Sequence, residues 1–577
     1  MRKKVMPAIV AVIFVIVIGL IAVLTMVIQK YIPSNDPSDL KSYYCLKEED
    51  DIAVVFNNTI TGEVCKYWDG HVYMTYEYVH DTLNERFYWD GNENILRYTT
   101  PSDLISVNAG SNQFTVGKSP SQEAYTIVKV DADVVYLALD FVQKYTNIDF
   151  TVHENPNRLL IYDTWGSIQQ ADLKKDSEIR EKGGIKSPVV AELEKGTTVT
   201  IIEQEESWSK VITEDGMIGY LKNKILGVSR EEITSHEFQE PVFTHLLKDK
   251  KINMAWHQVT SQEVNSQVAN ILQNTKGINV LSPTWFYLND NNGNIQSLAS
   301  SDYVNYCHQN GIEVWALISN LENEEVNTTA VLTRTSTRDY LTNQIIAAAI
   351  EYDLDGINLD FEELSVEVGD AYIQFIRELS LKCKNNGIVL SVDNYVPTSY
   401  TAFYNRREQA VFADYVVIMG YDEHYAGSEE AGSGASIGFV TKGVDDTLAE
   451  VPPEQIILGM PFYTRVWECT PKENISDSEQ ADENFIPYTV TSQAVGMSEA
   501  ENRLTINNVE AIWSEEDGQY YGEYQIDGLT YRIWVENEAS MEPRLSLMKD
   551  RGLAGASFWK LGLEKSSIWD IIIKYIN

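Results

Sequence analysis

Eight consecutive residues, Asp355-Gly356-Ile357-Asn358-Leu359-Asp360-Phe361-Glu362, concentrate the side chains of this chain best suited to chemistry. Ile357, Leu359 and Phe361 alternate with Asn358, Asp360 and Glu362. Side chains in a strand point to opposite faces with period two, so the spacing predicts a strand with three polar groups on one face. Two of them are neighbouring carboxylates. An unpaired buried charge is costly, so that face is expected to line a polar cavity. A carboxylic acid that donates a proton near neutral pH needs a raised pKa, and a nearby carboxylate supplies it. The chemistry on offer is general acid catalysis, with Glu362 as the acid, tuned and held by Asp360. Spacing alone also fits an acidic strand end closed by ion pairs.

Such a strand needs a scaffold. From residue 240 onward, strand patterns alternate with amphipathic helical ones, which predicts a parallel sheet. The expected strands are 252–258, 278–282, 313–318, 356–361, 389–393, 415–419, 456–460 and 555–559, and the clearest helices are 342–352 and 371–385. Eight strands are what a closed α/β barrel requires, with the reactive groups at the strand carboxyl ends. Those ends carry polar and aromatic residues suited to a sugar. Trp256 ends the first strand and Trp285 follows the second. Met419, Tyr421 and Asp422 end the sixth, Tyr463 and Arg465 follow the seventh, and Trp559 ends the eighth. Asp355, which opens the fourth strand, is also expected to contact substrate. A long excursion, about residues 467–538, separates the last two strands and contains the strand-like runs 509–513 and 529–534.

The central stretch resembles the signature of glycoside hydrolase family 18, Asp-Gly-x-Asp-x-Asp-x-Glu, which ends the fourth strand of a (β/α)8 barrel. Asn358 departs from it, standing where many family chitinases carry Asp. Met-x-Tyr-Asp after strand six and a Trp ending strand eight are further family features. The resemblance implies hydrolysis of a sugar polymer with 2-acetamido groups. It implies that the substrate's own N-acetyl oxygen attacks the anomeric carbon, a stated exception among retaining glycosidases. Glu362 would be the acid and then the base. Asp360 and Tyr421 would hold the acetamide, Asp422 neighbouring hydroxyls, and Trp559 the floor under the sugar. The excursion matches the place where many members insert a small α+β domain that walls the cleft. Asn358 cannot share a proton as Asp does, which predicts an altered pH optimum.

The amino-terminal half is expected to carry accessory parts. Arg2, Lys3 and Lys4 precede an apolar run from Val5 to Ile28. That run is about long enough to cross a bilayer as a helix, with the basic cluster inside the cell. It reads as a transmembrane signal anchor over 5–28, a cleaved signal peptide being the alternative. Residues 50–166 contain a repeat. Val72-Tyr73-Met74 through Phe87, Trp89, Asn92 and Leu96 returns as Val135-Tyr136-Leu137 through Phe150, Val152, Asn155 and Leu159. The second copy resembles the small amino-terminal domain of copper amine oxidases, without copper ligands. Short strands over 167–230, including Trp208-Ser209-Lys210-Val211 and Gly219-Tyr220-Leu221, resemble a bacterial SH3 domain. That resemblance implies cell-wall peptide as a partner, a spacer barrel with Trp208 in its core being the other reading.

The net charge of −40 argues against nucleic acid and against direct attraction to anionic lipids. The five cysteines and eight histidines form no metal pattern, so neither metal nor cofactor is expected. Cys45 and Cys65 are left open as a pair. The combined expectation is a (β/α)8 barrel over 240–577 on a membrane-anchored, extracellular bacterial glycosidase. Its polymer would be peptidoglycan, with chitin as alternative substrate and a non-catalytic sugar-binding barrel as alternative function.

Overall fold

The computed structural model describes residues 5–473 and 486–576. They fall into two units, and the larger comprises Tyr88–Ser106, Thr115–Ser119 and Pro241–Asn577. Its centre is a closed ring of eight parallel strands. These are β1 (Ile252–His257), β2 (Val280–Leu288), β3 (Glu313–Ser319), β4 (Gly356–Asp360), β5 (Val389–Tyr395), β6 (Tyr415–Met419), β7 (Ile456–Pro461) and β8 (Gly555–Trp559). Neighbours in chain order pair in parallel, and β1 pairs with both β2 and β8, which closes the ring. The expected (β/α)8 architecture is therefore present.

Alternation along each strand builds two cores. Trp256, Val280, Trp315, Leu317, Val417 and Ile457 fill the inside of the ring. Ile357, Leu359 and Phe361 belong to the outer layer, packed under α1 (Thr335–Glu351) and α2 (Gly369–Asn385). Asn358 and Asp360 thereby point inward, as period two requires. Gly356 is needed for packing: a Cβ there would meet the Trp315 ring at 2.6 Å.

α1 begins seven residues before its sequence pattern predicts, because its first turn is held from outside. Asp90 Oδ2 accepts from the Thr335 N–H (2.5 Å), one of the amides a helix start leaves unsatisfied. Arg97 pairs with Asp339 (2.7 Å), and the Tyr88 ring lies 4.7 Å from the Arg338 guanidinium. Arg338 and Glu378 form a fully buried ion pair joining α1 to α2 (3.1 Å). Residues 88–106 sit within the span expected for the repeat, yet they pack on the barrel.

Between β7 and the helix Glu538–Asp550 lies an antiparallel sheet. Its strands are Tyr463–Pro471, Tyr488–Gly496, Ile512–Ser514, Gln519–Ile526 and Leu529–Val535, with the helix Met497–Ile506 packed on it. Residues 474–485 of the expected excursion lie outside the described residues.

The second unit holds the amino-terminal parts. An apolar helix, Val5–Tyr31, has a stretch, Ile9–Tyr31, long and apolar enough to cross a membrane. The repeat folds around a local two-fold: strand His71–Thr75 pairs antiparallel with Val134–Ala138, and Met74 faces its own counterpart, Leu137. Asn84 donates across the repeat to the Tyr145 carbonyl (3.0 Å). A second sheet, from Ser167–Asp172 to Arg230–Ile233, encloses Ala171, Ile179, Val199, Val211 and Leu221. Cys45 and Cys65 are both free thiols, the first exposed and the second buried, so the pairing left open by the sequence is not made.

Candidate active site

Strand order brings β1, β4, β5, β6 and β8 to one mouth of the barrel. There, Trp256, Asp360, Glu362, Asp393, Tyr395, Met419, Tyr421, Asp422 and Trp559 line a cavity of about 190 Å³. Trp256 and Trp559 meet edge to face at 5.8 Å between ring centroids.

Asn358 lies beneath the cavity and is fully buried. Its Oδ1 accepts from Trp256 Nε1 (2.8 Å) and Ser282 Oγ (3.0 Å). Its Nδ2 donates to Ser391 Oγ (3.0 Å) and Asp393 Oδ1 (2.7 Å). Every hydrogen-bonding position of the amide is thus used. Asn358 holds Asp393 by a donated bond, where a carboxylate would need a proton to do so.

Four carboxyl groups line this site: Asp360, Glu362, Asp393 and Asp422. Burial raises the Asp360 pKa well above the carboxylate range, with Asp393, Glu362 and Glu322 adding repulsion. Asp360 Oδ1 has no hydrogen-bond partner among the described residues. A buried carboxyl without a partner is favoured neutral, so it is available to donate to a ligand. Burial likewise raises Asp393, against the opposing bond from Asn358. Burial raises Glu362, a Tyr395 hydrogen bond opposes, and the charges of Asp422, Glu363 and Glu322 add to the rise.

Glu362 follows β4 and is fixed through its backbone. Asn320, just past β3, accepts from the Glu362 N–H (2.8 Å) and donates to the Glu362 carbonyl (2.9 Å). Tyr395 Oη accepts from the next amide, Glu363 N–H, at 3.2 Å. We expect Asn320→Ala to lower kcat by about tenfold or more with KM nearly unchanged, because small misplacements of a catalytic group are costly. Steady-state kinetics beside the parent chain checks this, and an unaltered kcat would remove Asn320 from the positioning role.

Past the end of β6, Asp422 takes a left-handed backbone, φ 59°, which Asp tolerates better than most residues. Its Oδ1 accepts from Tyr463 Oη (2.7 Å) and Arg465 Nη2 (3.1 Å). Tyr421 packs edge to face on Tyr463, 6.2 Å between centroids. Tyr463 and Arg465 thus reach the site through Asp422.

The model for glycosyl hydrolases family 18 matches residues 239–564, more than half of the chain. The chain belongs to that family. A bacterial SH3 domain model matches residues 176–226. These matches do not extend to the 50–166 module, whose likeness to copper amine oxidases stays a sequence expectation. An uncharacterized glycosylase of Bacillus subtilis (strain 168), YvbX, is 25% identical over 300 residues, 49% of this chain and 81% of that protein. The cortical fragment-lytic enzyme of Bacillus anthracis is 25% identical over 268 residues, 45% of this chain and 59% of that enzyme. The spore cortex-lytic enzyme of Bacillus cereus shares the fold, with TM-score 0.50 and 22% identity over 61% of this chain and 78% of that one.

Two residues expected to bind substrate in this family 18 barrel lie elsewhere. Asp355 is at the opposite end of β4, about 17 Å of strand from Asp360. It accepts from the Val314 N–H and from His308 Nε2, both at 2.8 Å. Trp285 is fully buried in the outer core, donating to Asn265 Oδ1 (2.8 Å). β2 continues past Ser282 to Leu288, so Trp285 lies inside the strand with the outward parity of Leu281 rather than on a loop at the mouth. Sequence reading missed Asp393, Tyr395 and Asn320. Asp393 ends the expected fifth strand, and the rule applied to the other strand ends would have found it. Asn320 carries no signal in its own stretch.

Proposed function

We propose that the chain is a membrane-anchored, extracellular glycosidase that hydrolyses a β-linked polymer of N-acetylglucosamine, peptidoglycan first and chitin second. The observation that carries this reading is the buried, partnerless Oδ1 of Asp360, which shares with Glu362 a narrow cavity that Trp256 and Trp559 also line. The relatives named for cortical lysis and the SH3 match favour the wall polymer.

In this reading the reaction is substrate-assisted and retaining. The substrate's acetamide oxygen attacks the anomeric carbon as the Glu362 carboxyl protonates the leaving oxygen. Asp360 holds the acetamide by a hydrogen bond through its free Oδ1 as the oxazolinium forms. Tyr421 holds the acetamide oxygen in line, Asp422 binds a neighbouring hydroxyl, and Trp559 supports the ring. Glu362, now a carboxylate, then takes a proton from a water that attacks the anomeric carbon, breaking its bond to the acetamide oxygen and restoring the N-acetyl group.

The test incubates the chain from residue 32 onward with purified peptidoglycan and with N-acetylchitooligosaccharides and identifies products by mass. Cleavage of peptidoglycan with weaker action on the oligosaccharides is the expected result. Binding of either polymer without cleavage would replace the hydrolase with a sugar-binding protein.

Asn358→Asp places a further carboxylate against Asp393. It is expected to raise the coupled pKa values and move the alkaline limb of the pH–rate profile up by about half to one unit. A profile that overlays that of the parent chain would show that Asn358 does not tune the site.

A further inference from the structure

Against the net charge of −40, residues 174–186 and 222–224 hold seven cationic side chains and three acidic ones. Lys175, Arg180, Trp208, Lys222 and Lys224, together with Pro33, line a hollow of about 220 Å³ on the SH3 domain, with Asp176 and Glu178 the two carboxylates in its lining, so cations outnumber acids there by four to two. Trp208 is partly buried there and lies outside the domain's core cluster, and Lys222 Nζ lies 5.5 Å from its ring centroid. Arg180 is committed to the Ser34 carbonyl (2.8 Å), the Ser187 carbonyl (2.6 Å) and Glu178. Lys175, Lys222 and Lys224 have no carboxylate at ion-pair distance among the described residues. Burial lowers the Lys222 pKa, and Lys224, Arg180 and Lys175 lower it further against the smaller opposing effect of Glu178, so these cations repel one another across the hollow.

The hollow is also tied to the end of the apolar helix. Ser34 N–H donates to the Ile185 carbonyl, Val189 N–H to the Asp36 carbonyl and Ser38 N–H to the Val189 carbonyl, each at 2.8 Å. The helix ends at Tyr31, so Pro33 is at most about 7 Å of extended chain away. That is inside the Debye length of about 8 Å at physiological salt. With the helix across a bilayer, the hollow is held at the lipid surface, where Trp and Lys side chains place an apolar body and a polar tip.

We propose that this hollow binds the phosphodiester headgroup of an anionic phospholipid and seats the SH3 domain on the outer membrane surface. The proposal rests on the membrane-anchored reading given above. The whole-chain charge argues against anionic lipid, but screening makes the local charge decisive at this range. The same cations suit a phosphodiester in a soluble wall polymer, but the tether presents them to lipid.

The test reconstitutes the full chain in nanodiscs of phosphatidylcholine, with and without phosphatidylglycerol. Lysine acylation rates are read residue by residue by mass spectrometry, normalised to an added reference peptide. Acylation of Lys175, Lys222 and Lys224 is expected to be about fivefold slower with phosphatidylglycerol. Lys222→Gln with Lys224→Gln is expected to abolish that protection at Lys175 in a chain of unchanged circular dichroism. Equal rates in the two lipids would overturn the proposal. So would equal protection by soluble glycerophosphorylglycerol in phosphatidylcholine discs, which would name a soluble phosphodiester as ligand. A chain that does not enter either disc would overturn the anchor itself, and that outcome is scored separately, before any acylation is read.

Discussion

Glu362→Gln is expected to lower kcat on the cleaved polymer by about 10³-fold, within the range for loss of a general acid–base group. Gln has nearly the shape of Glu and keeps an acceptor for Tyr395. Asn320 holds the backbone N–H and carbonyl of residue 362, not its side chain, so the substituted residue keeps its place. Oligosaccharide affinity, measured by calorimetry, should therefore stay close to that of the parent chain. Loss of turnover with retained binding identifies a group used in the transition state rather than in binding. Equal turnover in the two proteins would take the proton-transfer role away from Glu362, and the site would then have to be read as a binding cleft.

Asp360→Asn is expected to have opposite effects on activity and stability. Activity should fall by about 10²-fold, the scale seen when one stabilising group in a preorganised site is removed. Stability near pH 7 should rise, because Asn is neutral in the buried site without having to take up a proton. The sign follows from linkage. The Asp360 pKa is raised in the folded state, so the folded chain binds more protons than the unfolded chain between the two pKa values. Its contribution to stability is complete below the unfolded pKa and is lost as pH rises through the folded one. Thermal unfolding at neutral pH should thus show a higher Tm for Asp360→Asn, and at pH 3 the difference should nearly vanish. A lower Tm at neutral pH would mean that Asp360 makes favourable contacts in the free site.

The pattern 355–362 was legible because a strand obeys a strict period of two. Ile357 and Leu359 had to face the outer layer, so Asn358 and Asp360 had to face the barrel interior. The same rule placed Trp256, Met419, Tyr421, Asp422 and Trp559 at the mouth, because each stands at or just past a strand's carboxyl end. It failed at Trp285, where the strand ran on for six residues beyond its predicted end. It fails at Asp355 because the two ends of a strand are far apart, so a place in the motif does not put a residue at the mouth.

The sequence by itself determined the barrel, the carboxylate strand and the apolar helix. Each is written in local periodicity or in an unbroken apolar run. Only the tertiary structure decided what surrounds Glu362. Asn320 lies 42 residues before it and Tyr395 33 residues after it, and ring closure alone brings them to one backbone segment. The pairing of Asn358 with Asp393 and the support of α1 by Asp90 have the same origin. The basic hollow around Trp208 does too, since a net charge of −40 averages over distances that folding removes. Contacts between distant segments depend on which surfaces pack together, and no local pattern of residue types records that.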